Sequence, residues 1–268
     1  MLHQNLIGYG AGGAAAAGYT INNSIWLDGA ADYLHRTPGS SGNGQVFTIS
    51  LWIKISHLSQ GAIIGVGDGA TDEDAIVYAN ITNTIRALID TGTNEGIQRT
   101  VALFRDTTAW YHLVFRFETT NATASSRIRM YVNSVLQDQT VSNQISQNFT
   151  TAINSTAIHA IGIRSPGGTA DAFWDGYMTE VIMIDGQSLA PSSFGKTDAY
   201  GNWIPIDPST LVFGTNGFWL DFEDSSALGN DVSGNNNDFT VVSMAAANQT
   251  LDSPTDSGTT IGNYCTGS

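Results

Sequence analysis

The sequence predicts an all-β fold, an antiparallel two-sheet β-sandwich of jelly-roll type, and three observations carry that expectation. Short stretches of alternating apolar and polar residues recur along the chain, split by Gly, Asn, Ser and Asp, with almost no helical period. Charged residues make up only 13%, so the surface must be built mostly from Ser, Thr, Asn, Gln and Gly, which suits sheets and loops better than helices. Hydrophobic residues reach 41% of 268, enough for one large sandwich core.

Residues 1–23 read as a Gly/Ala-rich arm with no core of its own, suited to docking on a neighbouring chain. Gly8, Tyr9, Gly10, Gly12 and Gly13 are its assembly candidates. Residues 24–190 read as the sandwich, opening with SIWLDGAADYL at 24–34. Segment 46–55 (VFTISLWIKI) alternates, with Phe47, Ile49, Leu51, Ile53 and Ile55 on one face and Thr48, Ser50, Trp52 and Lys54 on the other. Short strands are expected at 62–66, 75–81 and 84–90. Segment 110–118 alternates again through Tyr111, Leu113, Phe115 and Phe117, and 127–132 pairs with it, followed by a tight turn at Asn133-Ser134. Strands at 157–163 and 180–184 complete the series.

Residues 191–268 are dominated by loops, broken by GFWLDF at 217–222 and NDFTVV at 237–242. Two short strands bury too little to fold alone, so this extension is expected to pack on the sandwich.

Charge and composition exclude several functions. A net charge of −14 argues against binding a phosphate backbone, and the ten Lys and Arg residues form no patch along the sequence. No stretch approaches the roughly 18 apolar residues of a membrane span, and the first residues lack the pattern of a signal peptide. Cys265 is the single cysteine, so no disulfide forms within the chain, and nothing basic lies close enough in sequence to activate it. The Asn-x-Ser/Thr matches, as at Asn22 and Asn148, are expected by chance in a chain this rich in Asn and Thr.

The candidate chemistry is thin. Residues 8–13 match GxGxxG, yet no strand precedes them and no long helix follows, so the βαβ context of a dinucleotide site is missing. Five scattered histidines show no zinc spacing, and His112 and His159 are expected on the polar side of strands. Asp68, Asp72, Glu73 and Asp74 form an acidic cluster read as a solvated turn before a metal site. Stacking on a sugar would need exposed aromatics, for which Trp52, Trp174, Tyr177, Tyr200 and Trp203 are the candidates. Trp52 has a competing reading, burial beneath the C-terminal extension, which is preferred because large exposed apolar patches are uncommon.

Several segments resemble the laminin-G-type, concanavalin A-like jelly roll: SIWLDGAADYL, QVFTISLWIKI and WYHLVFRFETTNATASSRIRMYVNSVLQ, with Ser134 where that family most often has Gly. The run FWDGYMTEVIMIDGQSLAPSSFGKTDAYGNWIP at 173–205 resembles its closing strand and the extension found in virion proteins of tailed phages. GTNGFWLDFEDSSALGNDVSGNNNDFTV and DSPTDS continue the same ordered series. The resemblance spans residues 24–265 and implies a non-enzymatic virion protein, a capsid decoration or a fibre, in contact with other virion proteins and with copies of itself. The alternative it implies is a carbohydrate-binding host-adhesion module of the tail; no long shaft repeats accompany it. Glycan hydrolases on this fold usually carry E-x-D-x-x-E on one strand, and neither Glu180 with Asp185 nor Asp221 with Glu223 has that spacing. Jelly rolls of this type often hold a structural Ca²⁺ where the first strand meets the last, which makes Asp28, Asp32 and Glu180 the implied ligands.

Overall fold

The structure, a computed structural model, describes residues 18–67, 73–79, 81–90, 95–168 and 171–255. The arm candidates Gly8, Tyr9, Gly10, Gly12 and Gly13, with Asp68, Asp72 and Cys265, lie outside the described residues. In chain order the strands are β1 (Ser24–Asp28), β2 (Tyr33–Arg36), β3 (Val46–Ile55), β4 (Gly61–Gly67), β5 (Glu73–Ala79), β6 (Thr84–Asp90), β7 (Glu95–Thr100), β8 (Trp110–Glu118) and β9 (Ile128–Val132). They continue as β10 (Val135–Leu136), β11 (Gln139–Val141), β12 (His159–Ile161), β13 (Asp175–Asp185), β14 (Gly195–Thr197), β15 (Trp203–Pro205), β16 (Phe218–Leu220), β17 (Thr240–Val242) and β18 (Gln249–Thr250).

Sixteen of them form two antiparallel sheets, and β14 and β15 pair as a separate hairpin. The first runs β10-β9-β8-β3-β13-β1-β18, with β16 also paired to β13; the second runs β11-β7-β6-β5-β4-β12-β2-β17. The expected antiparallel sandwich is therefore present. Its core follows from period-2 alternation. Phe47, Ile49, Leu51, Ile53 and Ile55 of β3 face inward beside Tyr111, Leu113, Phe115 and Phe117 of β8, and meet Ile76, Tyr78, Ile85, Ala87 and Ile89 of the second sheet. Phe47 and Phe117 stack with ring centroids 4.4 Å apart. Burying the five inward side chains of β3 contributes roughly 10 kcal/mol before chain entropy is counted, comparable to the whole net stability of a domain.

Four sequence expectations change. Residues 24–34 are two strands in different sheets, because Asp28 closes a turn between them. Its Oδ1 accepts from the amides of Ala30 and Ala31, and Gly29 takes a φ of +73°. The closing strand is β13, eleven residues long instead of five. β7 escaped the pattern reading, since Gln98 and Thr100 occupy buried positions where apolar residues would mark a strand. His159 faces the core side opposite Val66, with Nε2 accepting from the Asn154 amide and Nδ1 donating to the Ala157 carbonyl.

The turn at Asn133-Ser134 is resolved by its backbone. Both residues take positive φ, +47° and +68°, the signature of a type I′ hairpin, and the Asn133 side chain accepts from the His112 amide.

The C-terminal segment is woven into the sandwich. β16 extends the first sheet beside β13, β17 extends the second beside β2, and β18 pairs with β1. Asp231, buried in the turn-rich stretch between β16 and β17, organises it by accepting from the amides of Trp219, Ser233 and Asn237. Asp185 does the same at the tip of β13, accepting from the amides of Asn43 and Asn216 and the side chain of Asn154.

Candidate functional site

The outer face of the first sheet carries the densest set of polar and aromatic side chains, and the chain's own ends cover it. β3, β8 and β13 present Ser50, Trp52, Lys54, Trp110, His112, Tyr177, Thr179 and Ile182 there. Phe194 and Phe213 pack on Val114, Ile182 and Ile184, while Tyr19, Ile21 and Trp203 pack around Trp52 and Trp110. Asp252 pins the return of the chain: Lys54 Nζ lies 2.7 Å from Oδ2, and Trp110 Nε1 donates to Oδ1 at 3.0 Å.

A bulge in β13 shapes the centre of this face. The register with β3 shifts between Thr179 and Ile182, and Glu180 adopts a φ of +50°. A non-glycine residue there is strained by about 1–3 kcal/mol and needs its surroundings to hold it. The bulge falls between the part of β13 that pairs with β1 and the part that pairs with β16. Glu180 is 5% exposed, accepting from Trp219 Nε1 at 2.9 Å and meeting the Tyr19 hydroxyl at 3.1 Å. Burial pushes its carboxyl up to about 8, so near neutrality it is mostly protonated. The Tyr19 hydroxyl donates to Oε1 and the Trp219 ring N–H to Oε2. Burial and the Glu180 carboxyl in turn push the Tyr19 hydroxyl far up.

His112 lies on the same face. Trp203 Nε1 donates to its Nδ1 at 2.9 Å, which leaves the proton on Nε2, 2.9 Å from Ser50 Oγ. Full burial drives the ring down to about 3. The Ser-His contact therefore runs the wrong way for catalysis: a nucleophilic serine must give its proton to the ring, and this ring already holds one on that side. The cavity bounded by Ser50, Trp52, His112, Glu180, Phe194 and Pro205 measures about 10 Å³, room for one water and none for a sugar.

Three of the sugar-stacking candidates, Trp52, Tyr177 and Trp203, gather in one covered cluster on the first sheet, and Trp174 and Tyr200 lie outside it. Trp52 is 5% exposed and Trp174 1% exposed, so neither offers a ring face to solvent. Tyr177 and Trp203 are half-buried, Tyr177 lying against Lys54 and Trp110, and Trp203 against His112. Tyr200, 90% exposed at the tip of the β14–β15 hairpin, stands apart from them. The calcium set also fails to assemble. Asp28 is engaged by turn amides that hold its carboxyl below the usual range, and Asp32 accepts from the Asp28 amide and Asn248. Glu180 is held elsewhere, and among the described residues no three His, Cys, Asp or Glu side chains cluster. Asp74, read as part of a solvated turn, is buried on β5 and accepts from the amides of Ala152 and Ile153.

The outer face of the second sheet is different. Residues 163–168 and 171–174 cover it over β4 and β5, where Ala62, Ala75 and Val77 pack with Ala172. Beyond that cover, one cross-strand row reads Thr140, Arg99, Arg86, Val77, Ala62. Four of the ten basic residues stand in two directly opposed pairs, Arg86 with Arg99 on this face and Arg116 with Arg129 on the first sheet, placements that the order along the chain does not show. Finding the first pair required β7, whose register with β6 sets Arg99 against Arg86.

Residues 28–192 match the Laminin_G_3 family model of the concanavalin A-like lectin/glucanases superfamily. Among solved structures, a Bacteroides ovatus protein provisionally described as carbohydrate-binding is similar at 14% identity, with 88% of this chain and 61% of that one covered and a TM-score of 0.57. Domain 4 of the extracellular arabinanase AbnA from Geobacillus stearothermophilus is similar at 17% identity over 66% of this chain and 76% of that one, with a TM-score of 0.48. Tailspike protein 2 of Escherichia coli O157:H7 bacteriophage CAB120 is similar at 12% identity over 66% of this chain and 27% of that one, with a TM-score of 0.39. At these identities the first likeness shows the fold alone, and the other two carry no argument. A search of curated proteins finds no match.

Proposed function

We propose that this chain, which belongs to the concanavalin A-like lectin/glucanases superfamily, is a non-enzymatic structural protein displayed on a tailed-phage particle, as a capsid decoration or fibre component. The observation that carries this reading is the sealing of the first sheet. The motif series at 186–205 and 214–241, which resembles the extension of phage virion proteins, covers that face and ties into both sheets. The groups nearest to catalytic chemistry, Glu180 and the Ser50–His112 pair, are locked beneath it in the wrong protonation states and without room for substrate.

In this reading the N-terminal arm attaches the protein to a neighbour and the second sheet faces outward. Gold-labelled antibody against the chain should decorate intact particles at regular surface positions, and deletion of residues 1–20 should abolish incorporation. Unlabelled particles, or turnover of any β-glucan by the purified chain, would contradict the proposal.

The second reading, a carbohydrate-binding adhesion module, is favoured by the openness of the second sheet beyond residues 163–168 and 171–174. The fold likeness to the Bacteroides ovatus protein agrees with it.

A further inference from the structure

We propose that Arg86 and Arg99, paired across β6 and β7 on the outer face of the second sheet, form a binding site for the carboxylate or sulfate group of an acidic glycan. The inference deepens the second, carbohydrate-binding reading and rests on it for the kind of ligand. Like charges placed directly opposite on neighbouring strands destabilise a sheet. This chain holds 24 acidic and ten basic residues, so ion-pair partners are abundant elsewhere. The other opposed pair, Arg116 and Arg129, is held by hydrogen bonds to Ser188, Tyr131 and Ser126, whereas among the described residues Arg86 and Arg99 have no carboxylate partner and the Nε–H of each is buried without an acceptor.

The surroundings fit an oxyanion. Planar guanidinium forks bind carboxylate and sulfate through paired hydrogen bonds, and they do so best when half withdrawn from water, as both residues are here. Arg164, near enough to add its repulsion to that of Arg99 on Arg86, shows the mode: it grips Asp171 with two nitrogens. That grip satisfies Arg164 and leaves the Arg86–Arg99 pair uncompensated. Small side chains flank the pair on one side, Val77 and Ala62 under Ala172, and the exposed Thr140 flanks it on the other. A polynucleotide is a poorer fit, because the net charge of −14 repels a long phosphate chain beyond this single spot.

The test titrates the purified full chain with three labelled hexasaccharides: a heparin fragment, oligogalacturonate and neutral maltohexaose, with inorganic sulfate as a fourth arm. At least one acidic sugar should bind and the neutral one should not. The ligand that wins decides between sulfate and carboxylate. R86Q/R99Q should weaken that binding at least tenfold with an unchanged or raised Tm, while K196Q, on the β14 hairpin, should bind within twofold of the parent. Absence of acidic-sugar binding by the parent chain, undiminished binding by R86Q/R99Q, or binding of sulfate ion without any sugar would each overturn the site. None of these outcomes alters the particle-surface reading, which the antibody labelling decides separately.

Discussion

The two outer faces of this sandwich began from similar strands and ended in opposite states. On the first sheet, β3 and β13 turn Trp52, Tyr177 and Ile182 outward, and both ends of the chain return to bury them. On the second, β6 and β7 turn Arg86 and Arg99 outward, and among the described residues the cover packed on the neighbouring strands is Ala172. The difference teaches that aromatic side chains on a sheet's outer face need not be offered to solvent. Here the aromatics lie under the chain's own returning segments, while Arg86 and Arg99 keep half-exposed positions on the other sheet.

The largest expected effect tests the sealed face. Phe213 is buried against Val114, Ile182 and Ile184, so Phe213→Ala should cost about 3–5 kcal/mol in denaturant unfolding. Tyr200→Ala, at an exposed hairpin tip, should stay within about 0.5 kcal/mol. Equal costs for the two would mean that the extension does not seal the sheet.

The next effect is the dependence of stability on pH. Glu180, raised from an ordinary 4.5 to about 8, is kept neutral by the fold where the unfolded chain would ionise. Its contribution is complete below about 4.5 and is lost as pH rises towards 8. His112, lowered from 6.5 to about 3, and His159, lowered to about 4, act in the opposite sense: their contribution is present above 6.5 and is lost as pH falls. Stability should therefore peak near pH 6.5 and fall by on the order of 2 kcal/mol by pH 8. Glu180→Gln, which is neutral at every pH and can still accept from Trp219, should remove most of that alkaline decline. An unchanged decline in this variant would show that Glu180 is not the buried acid responsible.

The smallest effect lies on the open face. Arg86→Gln alone should raise stability by about 0.2–1 kcal/mol at low salt, because it relieves a cross-strand repulsion, and the gain should shrink as salt is added. A loss of stability would mean that Arg86 has a partner holding it in place.

How far each face was legible follows from the kind of signal it left. The alternation of β3 and β8 showed which residues face the core, because burial on one side imposes a two-residue period. That same alternation put Trp52 on the polar side, and only the return of Ile21 and Trp203 from distant positions decides that it is covered. Glu180 read as the start of the closing strand and as an implied calcium ligand, and its place in a bulge was hidden because a bulge leaves no mark in a local pattern. The opening segment read as one strand because the turn made by Asp28 and Gly29 is short enough to look like an interruption. Arg86 and Arg99 were invisible for a different reason. They lie 13 positions apart on strands of which only one had a hydrophobic signature, so no reading along the chain could pair them.

Hydroxyl-radical footprinting of the native chain tests the central claim most directly, because it reads solvent access residue by residue. Trp52 and Trp110, the most oxidisable side chains of the first sheet's outer face, should be protected at doses that fully modify Tyr200, and should become reactive only on unfolding. Oxidation of Trp52 as fast as Tyr200 in the folded protein would contradict the account, since the first sheet would then be an open face.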